Sequence, residues 1–183
     1  DRLPPGLYHD EAYNGLDALN VLRGETPLFF EANNGREPLF IYLTALSVGL
    51  LGPTPGALRV VAALLGILTI PATYFLGRTL FGTRAGLLAA FLAATTVWTV
   101  NLSRVALRAV AAPPLAALAL ALLWQGLAER RRALMAWAGL AYGLLFYTYL
   151  AARFTPVALG LFLTYLAMWH RERLWLRGLL IFG

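Results

Sequence analysis

Cysteine and lysine are both missing from the 183 residues. Without cysteine there is no disulfide scaffold, no thiolate metal site and no cysteine nucleophile. Without lysine, all fifteen basic residues are Arg. Charge is scarce, at 13% of residues, where a soluble domain carries about 25%. Between Glu37 and Glu129 there is no acidic residue, and no Arg falls in the middle of an apolar run. The chain thus lacks the mid-membrane ionisable groups that mark most proton and ion paths.

What is abundant is apolar. The chain is 60% hydrophobic, with a mean hydropathy of +0.67. Disorder, coiled coil and collagen are excluded, and a membrane protein is indicated. A net charge of +6 and a pI near 10.2 would suggest nucleic acid in a soluble domain. Here the Arg residues separate apolar runs, so a lipid bilayer is the expected partner and nucleic acid is not. The acids are crowded. Asp1, Asp10, Glu11, Asp17, Glu25, Glu31 and Glu37 lie in the first 37 residues with three Arg, a net charge of −4. The remainder has twelve Arg and two acids, net +10.

The sequence reads as an acidic head followed by a hydrophobic body. The head opens at Asp1-Arg2-Leu3-Pro4-Pro5-Gly6 with neither the basic nor the apolar region of a signal peptide. The last residues, from Gly178 to Gly183, lie inside an apolar run. The expectation is a fragment of a longer membrane protein, truncated at both ends. A spanning helix needs about 20 apolar residues. The runs 57–77, 85–103, 109–128 and 133–152 meet this, 154–169 is slightly short, and 174–183 is incomplete. Pro71 predicts a kink in the first span. Pro113 and Pro114 fit the first turn of theirs. Gly82 with Gly86, and Gly139 with Gly143, have the spacing of close-packing helix pairs.

Arg placement orients the spans, because short cytoplasmic loops carry the Arg excess. Eight Arg lie in three connections: Arg78 and Arg84; Arg130, Arg131 and Arg132; and Arg171, Arg173 and Arg177. Arg59, Arg104, Arg108 and Arg153 fall on the other side. With the eight in the cytoplasm, 57–77 runs from outside to inside. The head is then external only if the run 38–52 does not cross, so this run is expected to lie in the interface or re-enter the outer leaflet. The alternative, a short extra span, would put the head in the cytoplasm. The organisation expected is an external loop, 1–56, and an all-α transmembrane module, 57–183, with five spans and an incomplete sixth. Tyr165, Trp169 and Trp175 read as an interfacial belt around the third Arg cluster.

The chemistry is expected in the head. Residues around Tyr8 to Gly15 open a helix that ends before Gly24, a good terminator. Ala12, Leu16, Leu19 and Leu22 form an apolar stripe that would face the membrane. Asp10 and Glu11 fit two roles. They complement the dipole of a helix start, and they also resemble a general base for hydroxyl activation. Arg104 and Arg108 lie one turn apart if 101–108 is helical, either as phosphate ligands or as snorkelling anchors. His9 has no second histidine nearby, so no metal is expected. Asn33-Asn34-Gly35 is a turn signal.

Together these residues resemble a known family. Asp10-Glu11 precedes Gly35-Arg36-Glu37-Pro38-Leu39-Phe40-Ile41-Tyr42-Leu43. Leu50-Leu51-Gly52, Ala57-Leu58-Arg59 and Leu76-Gly77-Arg78-Thr79-Leu80-Phe81-Gly82 follow. This arrangement is similar to the GT-C glycosyltransferases of family 39, which include protein O-mannosyltransferases and lipid A aminoarabinose transferases. The resemblance implies an inverting transfer at a cell membrane. The donor would be a polyprenyl-phosphate sugar and the acceptor a protein or lipid hydroxyl, with no cofactor. It implies Asp10 as catalytic base beside Glu11; Arg36 and Glu37 are candidates for the substrate pocket, and Arg104 and Arg108, by their spacing on the external side, for the donor phosphate. The aminoarabinose transferases have Glu-Lys-Pro where this chain has Arg36-Glu37-Pro38. They also have Arg where this chain has Tyr13, a further substrate-binding candidate. The alternative without chemistry is a membrane scaffold or transporter fragment.

Overall fold

The computed structural model describes residues 6–169. Among them the fold is all-α, as the composition implied. The eight helices are α1 (His9–Leu22), α2 (Leu39–Leu51), α3 (Pro55–Phe81), α4 (Thr83–Thr95), α5 (Val97–Arg104), α6 (Ala112–Ala128), α7 (Arg132–Leu145) and α8 (Thr155–Trp169). Short 3₁₀ turns, Arg108–Ala111 and Leu150–Phe154, precede α6 and α8. The core lies where α2, the N-terminal half of α3 and the segment after α5 meet. Phe40, Val48, Ala57, Leu58, Val61, Ala62, Ala106 and Val110 form it. Thr54 caps α3 by accepting from the Ala57 amide, and Ser47 ties α2 to the Ala57 carbonyl at 2.6 Å.

Helix α1 buries a face that its apolar stripe does not predict. Its buried residues are Glu11, Asn14 and Ala18, while Leu16 and Leu22 are at least half exposed. The buried face is polar because it receives charged and backbone partners from three other segments. Arg23 caps the helix, and Gly24 follows in the left-handed conformation, as a terminator should.

Among the described residues, two helical segments are long and apolar enough to cross a membrane: α3, with 27 residues, and Arg108–Ala128, with 21. The second begins with Pro113 and Pro114 in the first turn of α6. Helix α3 continues unbroken through Pro71. Helix α2 has 13 residues, or about 20 Å at the usual rise, against a hydrocarbon core of about 30 Å.

Other runs depart from single straight spans. The run 85–103 is two helices bent by 56°. Thr95 and Thr96 turn their hydroxyls back onto the carbonyls of Phe91 and Leu92, and Thr96 is extended. Its side chain and amide both bond to the Leu92 carbonyl at the end of the α4 ladder. The run 133–152 is helical only to Leu145. The chain then leaves the helix, the Tyr147 carbonyl accepts from the Leu39 amide, and Tyr149 becomes extended. The third Arg cluster, the run 174–183 and Trp175 lie outside the described residues.

The glycines sort differently from their spacing. Gly86 packs against α3, where an added Cβ would come within 2.8 Å of backbone atoms of Tyr74 and Arg78. Gly139 and Gly143 face open space. Gly86→Ala should therefore destabilise the protein by about 1–3 kcal/mol. Gly139→Ala should be neutral or stabilising by up to about 1 kcal/mol. Thermal melting in detergent checks this, and equal melting points for the two variants would contradict the packing.

Candidate functional site

Glu11, Asn14 and Asp17 recur at every third position of α1 and so share one face. Glu11 is fully buried and both its oxygens are occupied. Oε1 accepts from Arg59 Nε and from the Ala106 amide, each at 2.9 Å. Oε2 accepts from Arg59 Nη2 and the Tyr8 amide, each at 3.0 Å. Burial by itself would raise the Glu11 carboxyl. The Arg59 guanidinium and the two amides outweigh it and hold the group below its ordinary value. One turn on, Asn14 Nδ2 donates to the Ala106 carbonyl at 3.0 Å. Glu11 and Asn14 thus hold both polar groups of one residue in the link between α5 and α6.

Arg36 completes this face. It is 1% exposed. Its Nε donates to the Ala32 carbonyl, Nη1 to Asn14 Oδ1 at 3.1 Å and Nη2 to Asp17. The guanidinium also lies 5.5 Å from the Tyr13 ring centre. Burial pushes the Asp17 carboxyl up from its ordinary value, against the opposite pull of Arg36. The Arg36 backbone closes a tight loop by pairing with Phe30 in an antiparallel bridge. Inside that loop Asn33, Asn34 and Gly35 are all left-handed. The turn signal in the sequence is realised there.

Asp10, by contrast, is exposed at the start of α1. Its Oδ1 accepts from Asn33 Nδ2 at 2.7 Å. It borders a cavity of about 220 Å³ whose wall also includes Asn14, Asn33, Asn34, Arg36, Leu107, Arg108, Ala109 and Tyr149. Arg108 donates to the Gly35 carbonyl at 2.8 Å and lies 5.4 Å from the centre of the Tyr149 ring. Behind it, Glu37 is 3% exposed and sits between Arg108, at 3.5 Å, and Arg153, at 3.4 Å. Glu37 Oε2 has no hydrogen-bond donor among the described residues. A carboxylate, two guanidinium groups, side-chain amides and an aromatic face can together bind a polyhydroxylated, anionic ligand.

The residues singled out in the sequence thus separate. Asp10, Arg36 and Arg108 share the cavity wall. Glu11, Glu37 and Tyr13 stand behind it, each touching a residue that positions the wall. Arg104 is exposed at the end of α5 and does not line the cavity. The one-turn relation to Arg108 fails because Val105 and Leu107 are extended. Sequence reasoning missed Asn14, Tyr149, Arg59 and Arg153. Only Asn14 left a signal, the three-residue recurrence of Glu11, Asn14 and Asp17. Arg59 and Arg153 act across 48 and 116 positions, and Tyr149 arrives through a break in a helix.

A family model described as dolichyl-phosphate-mannose-protein mannosyltransferase matches residues 35–182. No curated protein and no solved structure matches the chain.

The Glu11–Arg59 pair sets a pH dependence. Because folding lowers the Glu11 value, the pair stabilises the protein above the ordinary value of 4.5. That stability is lost as pH falls through the lower folded value. Glu11→Gln leaves Arg59 without its partner and should cost about 3–5 kcal/mol at neutral pH. It should also flatten the loss of stability below pH 4.5. Melting curves at several pH values test both, and an unchanged acid limb would contradict the pairing.

Proposed function

The chain belongs to the dolichyl-phosphate-mannose-protein mannosyltransferase family, and on that footing we propose that its cavity transfers a sugar from a polyprenyl-phosphate donor to an acceptor hydroxyl. Membrane glycosyltransferase activity follows from the family. The donor, the inverting course and the residue roles are our reading. The observation that carries it is the meeting of Asp10 and Arg108 at one cavity wall, contributed by segments about a hundred positions apart.

In this reading Asp10 takes the proton of the acceptor hydroxyl through the carboxylate oxygen that Asn33 does not hold. The acceptor oxygen then bonds to the anomeric carbon as the bond to the phosphate oxygen breaks. The electron pair leaves with the lipid phosphate, so the departing group needs positive charge rather than an acid. Arg108 supplies that charge, held in place by Tyr149, Gly35 and Glu37. Attack opposite the leaving phosphate inverts the sugar carbon. Arg36 forms the wall beneath the sugar, steadied by Tyr13. Glu11 is a positioning residue that ties Asp10's helix to the segment carrying Arg108. Arg104 has no part in it. The acceptor is a protein or lipid hydroxyl.

We also assign the cavity to the external face of the cell membrane. The Arg distribution supports this assignment. Arg59, Arg108 and Arg153 ion-pair with the acidic head, whereas Arg78 lies nineteen residues along α3 from Arg59 and Arg131 lies beyond the far end of α6.

Asp10→Asn in the full-length protein should lower transfer from polyprenyl-phosphate mannose by about 10²–10⁴-fold. Wild-type rates in that variant would remove the base assignment. Topology has a separate test, helped by the lack of native cysteine in this stretch. Ala32→Cys should react with an impermeant thiol reagent added outside intact cells, and Arg131→Cys should not. The reverse pattern would refute the orientation.

A further inference from the structure

The loop between Phe30 and Arg36 is held far more tightly than a connection between helices requires. Its ends are joined by two backbone hydrogen bonds, Phe30 N to Arg36 O at 3.0 Å and Arg36 N to Phe30 O at 2.7 Å. Inside, the Gly35 amide donates to the Glu31 carbonyl and Arg36 Nε to the Ala32 carbonyl. From outside, Arg108 holds the Gly35 carbonyl. Three successive residues adopt the left-handed conformation: Asn33 at φ 52°, Asn34 at 65° and Gly35 at 79°. Two of the three are not glycine, and such backbone is kept only where its surroundings impose it. At Gly35 a side chain would run into the Phe29 ring.

The product of this bracing is the placement of one amide. Asn33 Nδ2 meets Asp10 Oδ1 at 2.7 Å, and both residues line the cavity. Asp10 is otherwise exposed, and a free carboxylate there would rotate about its side-chain torsions. Asn33 restricts that freedom and leaves the other oxygen, Oδ2, for an acceptor hydroxyl. An amide suits the task because it donates without adding charge beside a base that must stay ionised. Asparagine also tolerates the left-handed backbone better than most residues.

We propose that Asn33 is a positioning residue that fixes the Asp10 carboxylate for proton abstraction, and that the braced loop 30–36 serves to deliver it. This rests on the reading of Asp10 as the base. It predicts an effect on the chemical step rather than on donor binding or stability.

The test uses the full-length membrane protein with polyprenyl-phosphate mannose as donor, comparing Asn33→Gly, Asn33→Asp and Asp10→Asn. Asn33→Gly keeps the left-handed backbone and deletes the amide. It should lower kcat by about 10–100-fold, with donor KM changed by less than about threefold and an unchanged melting point. Asn33→Asp keeps the shape but replaces the donor with a second carboxylate, and should lower kcat at least as far. Wild-type kcat in Asn33→Gly, or a loss seen only in KM, would overturn the proposal. If Asp10→Asn is inactive while Asn33→Gly is fully active, only the role of Asn33 falls. If Asp10→Asn is fully active, the base reading falls and this one with it.

Discussion

A single buried carboxylate organises the site. Glu11 takes Arg59 from α3, the Ala106 amide from the link between α5 and α6, and the amide of Tyr8, which caps its own helix. Three chain segments therefore meet at one side chain. A buried carboxylate is tolerated only when its oxygens are satisfied and a cation opposes it, and Glu11 meets both conditions. Asp10 follows as its neighbour in sequence. Once Glu11 is locked inward, the helical turn of about 100° per residue sends Asp10 out toward the cavity.

The same logic extends along α1. Asn14 takes the other polar group of Ala106 and accepts from Arg36, and Asp17 pairs with Arg36. Arg36 in turn closes the loop that carries Asn33 and Gly35. Arg108 enters from the segment that Glu11 and Asn14 hold, and Tyr149 arrives because α7 stops at Leu145. The cavity is the space left where these arrivals converge. Its wall mixes charged and amide side chains with Leu107, Ala109 and the Tyr149 ring, while the body around it is apolar. That mixture fits the sugar transfer proposed above.

Much of this was legible in the sequence. The all-α membrane class followed from composition, and the acidic head followed from charge placement. Asp10, Arg36 and Arg108 were identifiable as candidates. The partition of Arg between two ends of the long helices also reappears, with Arg59 at the head and Arg78 distant from it. What was hidden depends on tertiary contact. The apolar stripe of α1 marked a membrane-facing side, but nothing in it announced that another face buries Glu11 and Asn14 against Arg59 and Ala106. The run 85–103 looked like one span. It bends by 56° at the extended Thr96, and the extended residues Val105 and Leu107 separate Arg104 from Arg108. Arg59 and Arg153 had no evident role, because their carboxylates lie 48 and 116 positions away. Hydropathy cannot register such pairings.

The central claim is that one cavity holds the reacting sugar between Asp10 and Arg108. It is tested most directly by a structure of the full-length protein in lipid nanodiscs with a polyprenyl-phosphonate mannose analogue bound. The account predicts the phosphonate against the Arg108 guanidinium. It also predicts a line of approach from Asp10 Oδ2 to the anomeric carbon, with room for one acceptor oxygen about 3–3.5 Å from that carbon. An analogue seated elsewhere, or one whose anomeric carbon faces away from Asp10 with Arg108 still bound only to Gly35 and Glu37, would contradict it.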